Sequence, residues 1–100
     1  IFMNISKTVT DNLVTLGIEG RIDTVTSPSL AAEIDTVDET VTKLVLDFEK
    51  VEYMSSAGIR VIMVADKVMS KQGEMKLIHV SEEVFDIFDI TGLADLLTIE

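Results

Sequence analysis

Two adjacent serines, an alanine and a glycine, Ser55-Ser56-Ala57-Gly58, stand just ahead of the most apolar helical segment of the chain. One serine at a helix start has an ordinary use: its side-chain oxygen caps a free N–H group of the first turn. Two serines exceed that need. Gly58 is a poor helix former, costing about 1 kcal/mol relative to alanine. A glycine there leaves the backbone and its N–H groups open to something approaching closely. Both features are expected of a helix start that serves as a contact surface.

Catalytic machinery is sparse. The single histidine, His79, falls in the middle of the strand-like run Met75-Lys76-Leu77-Ile78-His79-Val80 and is expected to be a packed or edge-strand residue. No serine lies in a G-x-S-x-G turn, and neither an H-E-x-x-H motif nor a cysteine set offers metal ligands. The five glycines are too scattered for a phosphate-binding loop, and the acids lack the order of a calcium loop. Asp86 and Asp89, three apart on a helix, read as a solvated edge. The expectation is a binding protein, with no enzymatic activity, cofactor or metal.

The elements that must position the serines follow from periodicity. Met3 to Val9 alternate, Thr10-Asp11-Asn12 supplies a turn, and Val14, Leu16 and Ile18 alternate again, so an antiparallel hairpin is expected. Gly20-Arg21-Ile22-Asp23 leads out of it. Ser27-Pro28 reads as a helix start, with Ser27 as cap. Leu30, Ile34, Val37 and Val41 then mark the inner stripe of an amphipathic helix. Leu44-Val45-Leu46 is a short strand buried on both faces, ending near Asp47-Phe48 before a loop. The second helix runs from Ser55 or Ser56 to about Ser70. Its polar stripe is Arg60, Lys67 and Lys71, its other faces are almost wholly covered, and Gln72-Gly73 closes it. After the strand containing His79, Ser81-Glu82-Glu83 opens a third helix with Val84, Phe85 and Phe88 inward, and Thr91-Gly92 ends it. Leu96-Leu97-Thr98-Ile99 reads equally as a last strand or a helical turn. The class is α/β: a single domain with an N-terminal β-hairpin, then alternating α and β. It yields a mixed four- to five-stranded sheet with helices packed on it.

One hundred residues suffice for one core and not for two. With 47% hydrophobic residues, no tryptophan and few aromatics, that core is aliphatic. Eight basic residues against eighteen acidic ones give a net charge of −10. Such a chain repels nucleic acid and anionic membrane surfaces and favours a partner with a basic patch. The lack of cysteine accords with a cytoplasmic protein. The first residues form no signal peptide, and Ile59 to Met69 is too short and too interrupted to span a bilayer. Ile1 and Phe2 read as a remnant before a natural start at Met3, so the domain is expected to cover 3–100.

The run Leu44 to Phe48, Val51 and Tyr53-Met54-Ser55-Ser56-Ala57-Gly58-Ile59-Arg60 resembles the signature of STAS-domain anti-anti-sigma factors. Gly20-Arg21-Ile22-Asp23, Gly73-Glu74-Met75 and Phe85 to Leu93 extend the resemblance, in order, over nearly the whole chain. It implies an anti-sigma factor antagonist that holds a kinase-type anti-sigma factor when unphosphorylated and releases it when phosphorylated. Matching by position, the acceptor is Ser56, with Ser55 the other candidate where one subgroup carries an acid. The resemblance further implies a partner surface of Asp23, Thr24, Thr26, Ser27, Ser55, Ser56, Ala57, Gly58 and Arg60, and partners that include an anti-sigma factor serine kinase and a resetting serine phosphatase. The other reading is a STAS-like adaptor subunit of a transport or lipid-trafficking complex, which needs no phosphate. The sigma factor and the oligomeric state stay open.

Overall fold

Alternation in the first twenty residues closes into a hairpin. In the computed structural model, which describes residues 3–100, β1 (Met3–Thr10) pairs antiparallel with β2 (Leu13–Ile22). Asp11 reverses the chain with a left-handed φ of 53°. Ile1 and Phe2 lie outside the described residues. Next come α1 (Ser27–Asp35), β3 (Lys43–Met54), α2 (Ser56–Ser70), β4 (Glu74–Ile78) and α3 (Glu82–Ile90). A 3-10 turn over Leu93–Asp95 and a two-residue strand, β5 (Thr98–Ile99), follow. The run Leu96 to Ile99 thus ends in a strand, and the helical turn lies just ahead of it.

The sheet order is β1-β2-β3-β4-β5, parallel everywhere except the hairpin. Its inner face carries Val14, Leu16, Ile18, Leu44, Leu46, Phe48, Met75 and Leu77. Leu30, Ile34, Ile62, Ala65, Met69, Val84 and Phe88 join them from the helices in one core. Burying each such side chain contributes about 1.5–3 kcal/mol. On the opposite face Lys43, Asp47, Lys76 and Ile78 are half-buried around a buried Val45, and no helix of the described residues contributes to it.

Several expectations need correcting. β3 does not stop near Phe48 but runs to Met54. Two register shifts against β2 insert extra residues, so burial recurs at Phe48, Val51 and Met54, every third position. That spacing disguises a bulged strand as a loop. Helix α1 ends at Asp35, short of Val37 and Val41, because Thr36 Oγ1 donates to the Glu33 carbonyl and Asp38 accepts from the Thr40 N–H in a turn. Val37 and Val41 are buried all the same, in a loop pinned by Gln72 Nε2 donating to the carbonyls of Asp38 and Val41. Gly73 is fixed by crowding: a Cβ there would collide with the Thr42 backbone. Phe85 is 38% exposed and Met63 and Val64 are half-exposed, so neither α3 nor α2 is as covered as its composition suggests. His79 lies past the end of β4 with a φ of 57°, not inside the strand.

Candidate functional site

Two junctions leave the sheet side by side: the β2–α1 loop and the start of α2. Arg21 pairs with Tyr53 and Ile22 with Met54 at the ends of β2 and β3, and the Ser55 N–H donates to the Ile22 carbonyl at 2.9 Å. Whatever approaches one junction therefore meets the other.

The β2–α1 loop is organised around Asp23. Its Oδ1 accepts from the N–H groups of Val25 at 2.9 Å and Thr26 at 3.0 Å. Thr26 Oγ1 donates to the Arg21 carbonyl at 2.6 Å and accepts from the Asp23 N–H at 2.9 Å. The Thr26 backbone N–H, ahead of the Val25 N–H and the nearby Arg21, holds the Asp23 carboxyl below its ordinary range against the opposing effect of burial. Arg21 Nε lies 3.7 Å from Asp23 Oδ2, and its guanidinium sits 4.2 Å over the Tyr53 ring. Thr26 and Ser27 are buried, so they shape the loop from beneath. Ser27 is not the cap of α1; it is the first helical residue, and the preceding Thr26 makes no side-chain cap bond either. Thr24 and Val25 form the exposed rim, Val25 at 75%.

The α2 start is built differently. Ser55 occupies the N-cap position with extended backbone, yet its side chain makes no capping bond. Its Oγ is buried and has no hydrogen-bond partner among the described residues. Ser56, the first helical residue, is exposed. Free backbone N–H groups and the positive end of a four-turn helix thus lie beside the Ser56 hydroxyl. Gly58 is buried, contrary to the reading that it opens the backbone to an outside group. A Cβ there would come 2.6 Å from Ile22 Cγ2 and 3.1 Å from Met54 Cγ, so the glycine lets the helix lie directly on the strand ends. Ala57 is half-exposed and Arg60 exposed, one turn on from Ser56. Met63 and Val64 continue that surface with apolar area. Sequence reasoning missed Val25, Tyr53, Met63 and Val64 as surface residues. The available signal was Val25 standing between two threonines in a turn segment.

A mixed five-stranded sheet opened by a hairpin, with its helices on one face and a serine exposed at a helix start, defines a small α/β class. The STAS domain family model matches residues 4–100, and the chain belongs to that family. An anti-sigma-B factor antagonist of Bacillus subtilis (strain 168) is 33% identical over 98 residues, covering 97% of this chain and 90% of the relative. The crystal structure of an anti-sigma factor antagonist from Mycobacterium paratuberculosis superposes with a TM-score of 0.89 at 21% identity, covering 98% of this chain and 85% of that one. The Bacillus cell fate determinant SpoIIAA in its phosphorylated form gives 0.75 at 20% identity, covering 99% and 91%. At those identities the two structures speak for the fold.

Proposed function

We propose that this chain is an anti-sigma factor antagonist whose affinity for a kinase-type anti-sigma factor is set by phosphorylation of Ser56. The observation that carries the assignment of the acceptor is the contrast at the α2 start, where the Ser56 side chain is exposed and Ser55 Oγ is buried. Support for the wider reading comes from the antagonist of B. subtilis at 33% identity and from a fold neighbour described in a phosphorylated form.

In the reaction, Ser56 Oγ forms a bond to the γ-phosphorus of ATP as the bond to the ADP oxygen breaks, and the hydroxyl proton passes to a base of the kinase. The product carries about −1.5 to −2 charges and three acceptor oxygens. Free N–H groups of the first turn meet it with a favourable dipole, worth about 0.3–1 kcal/mol. The fold therefore survives modification. Affinity does not, because a phosphate pressed into an interface loses its hydration, and a partner carboxylate nearby repels it. The docking surface is the rim of both junctions: Asp23 Oδ2, Thr24, Ser56, Ala57 and Arg60, with Thr26 and Ser27 holding the loop and the buried Gly58 seating the helix. A serine phosphatase resets the switch, and the setting is cytoplasmic.

The test is incubation with ATP and a co-encoded kinase-type anti-sigma factor, with the phosphate mapped by mass spectrometry. Phosphate on Ser56, lost in Ser56→Ala and retained in Ser55→Ala, is the expected result. Undiminished labelling of the Ser55→Ala/Ser56→Ala double variant, or no labelling of the wild type, overturns the proposal. Ser56→Asp is expected to fold normally and bind the anti-sigma factor more weakly.

A further inference from the structure

On the open face of the sheet, opposite the helices, an imidazole and two carboxylates converge. Asp47 lies mid-way along β3, Glu49 two residues on, and His79 just beyond β4. His79 Nδ1 is 2.9 Å from Asp47 Oδ1, and one donor atom from each of the three residues lies within 4.8 Å of the others. From Asp47 to Met54 the bulged strand runs beside five steps of β2, Gly17 to Ile22, an advance of about 16 Å at roughly 3.3 Å per residue. The cluster is therefore separate from the serine junction.

The backbone brings the histidine there. Asp47 is paired with Ile78 across the parallel β3–β4 ladder. In a continuing strand the next residue, His79, would point to the opposite, helix-covered face. Its left-handed φ of 57° ends the strand and turns the imidazole back to the face of Asp47. Asp47 is the fixed member, only 28% exposed, with Oδ1 also accepting from the Glu49 N–H at 3.0 Å. His79 is 56% exposed at its side chain, and Glu49 is exposed, so both are free to adjust.

We propose that Asp47, Glu49 and His79 form a surface site for a borderline divalent cation of the zinc class. One imidazole and two carboxylates are the donors such ions take when thiolate is lacking, and this chain has no cysteine. Around a single tetrahedral zinc at about 2.0–2.2 Å, ligand atoms stand roughly 3.3–3.6 Å apart. His79 Nδ1 and Asp47 Oδ1 at 2.9 Å already stand close enough to share one ion, and the exposed Glu49 side chain turns in to complete the set. The Glu49 N–H orients the Asp47 carboxylate as an outer-shell donor. Water fills the outward side, so the ion exchanges freely.

The chain holds a single histidine, which makes the test unambiguous. Zn²⁺ is titrated into the full chain by calorimetry while the imidazole resonances are followed by NMR. Saturable binding near one equivalent, with the His79 ring signals shifting in step, is expected. His79→Gln should abolish it, and Glu49→Gln, at an exposed position that leaves folding intact, should weaken it at least about tenfold. Mg²⁺ at the same concentrations should leave the ring signals in place. The site is overturned by unsaturable binding, by unshifted ring signals, by unchanged affinity in either variant, or by an equal response to Mg²⁺. Binding retained in His79→Gln would assign the metal to the general acidic surface instead.

Discussion

The two junctions that frame Ser56 are neighbours in space and opposites in construction. In the β2–α1 loop two side-chain oxygens are committed to its backbone: Asp23 Oδ1 takes two backbone N–H groups, and Thr26 Oγ1 bridges Arg21 and Asp23. At the α2 start the side chains satisfy nothing, since Ser55 Oγ is orphaned and no side chain caps the first turn. A saturated loop holds its shape. An unsaturated helix start retains donors for an incoming anion. The same few ångströms of surface thus combine a rigid frame with a reactive position, and each half can be disturbed without the other.

The largest disturbance should come from Gly58, where helix and strands touch. Gly58→Val drives a branched side chain into Ile22 and Met54 and should destabilise by about 2–3 kcal/mol through overpacking. Urea denaturation measures it; a loss under about 0.5 kcal/mol would mean the junction yields easily and is no fixed frame. Thr26→Val is next. It keeps the shape of a buried side chain but strands the Asp23 N–H and the Arg21 carbonyl, and should cost about 1–3 kcal/mol. Labelling of Ser56 should persist in this variant if the two halves are independent.

Acid probes the frame more gently. The Asp23 carboxyl is held below its ordinary value of 3.8 when folded, so its contribution to stability is complete above that value. It is lost as pH falls through 3.8 toward the lower folded value. Asp38 and Asp47 are held low in the same direction. Asp23→Asn should therefore reduce the steepness of acid destabilisation without removing it, as read from thermal melts between pH 5 and pH 2. An unchanged slope would show that the carboxylate does not organise the loop.

Much of this frame was legible in the residues, and the reasons it was not everywhere are physical. Period-two alternation in β1 and β2 and the Ser81 start of α3 follow directly from local pattern, and Ser81 Oγ does accept from the Val84 N–H. The far half of β3 was hidden because two bulges turn alternation into a three-residue spacing. Val37 and Val41 keep helical spacing while lying in a loop, since burial and not helicity selects them. The positions of both serines could be read, but which hydroxyl is buried depends on how tightly Gly58 seats the helix. The meeting of Asp47 with His79, thirty-two residues apart, depends on the parallel register and one left-handed residue, neither of which has a local signal.

The smallest effect is the most discriminating, because two serines occupy the same formal position in two helices. Ser81 caps α3 through a 3.2 Å bond from the Val84 N–H, whereas Ser55 stands at the N-cap of α2 without one. Ser81→Ala should cost about 1 kcal/mol, the usual loss for a working cap. Ser55→Ala removes a buried hydroxyl that has no partner, and deleting such a group offsets the desolvation it imposes. Its stability should stay within about 0.5 kcal/mol of wild type or rise slightly. Equal losses in the two variants would show that Ser55 turns to cap α2 in solution. In that case the Ser55 hydroxyl occupies a first-turn N–H that a phosphate on Ser56 would otherwise take. A negligible loss for Ser55 beside a full loss for Ser81 leaves those donors free, which is the condition the phosphoserine requires.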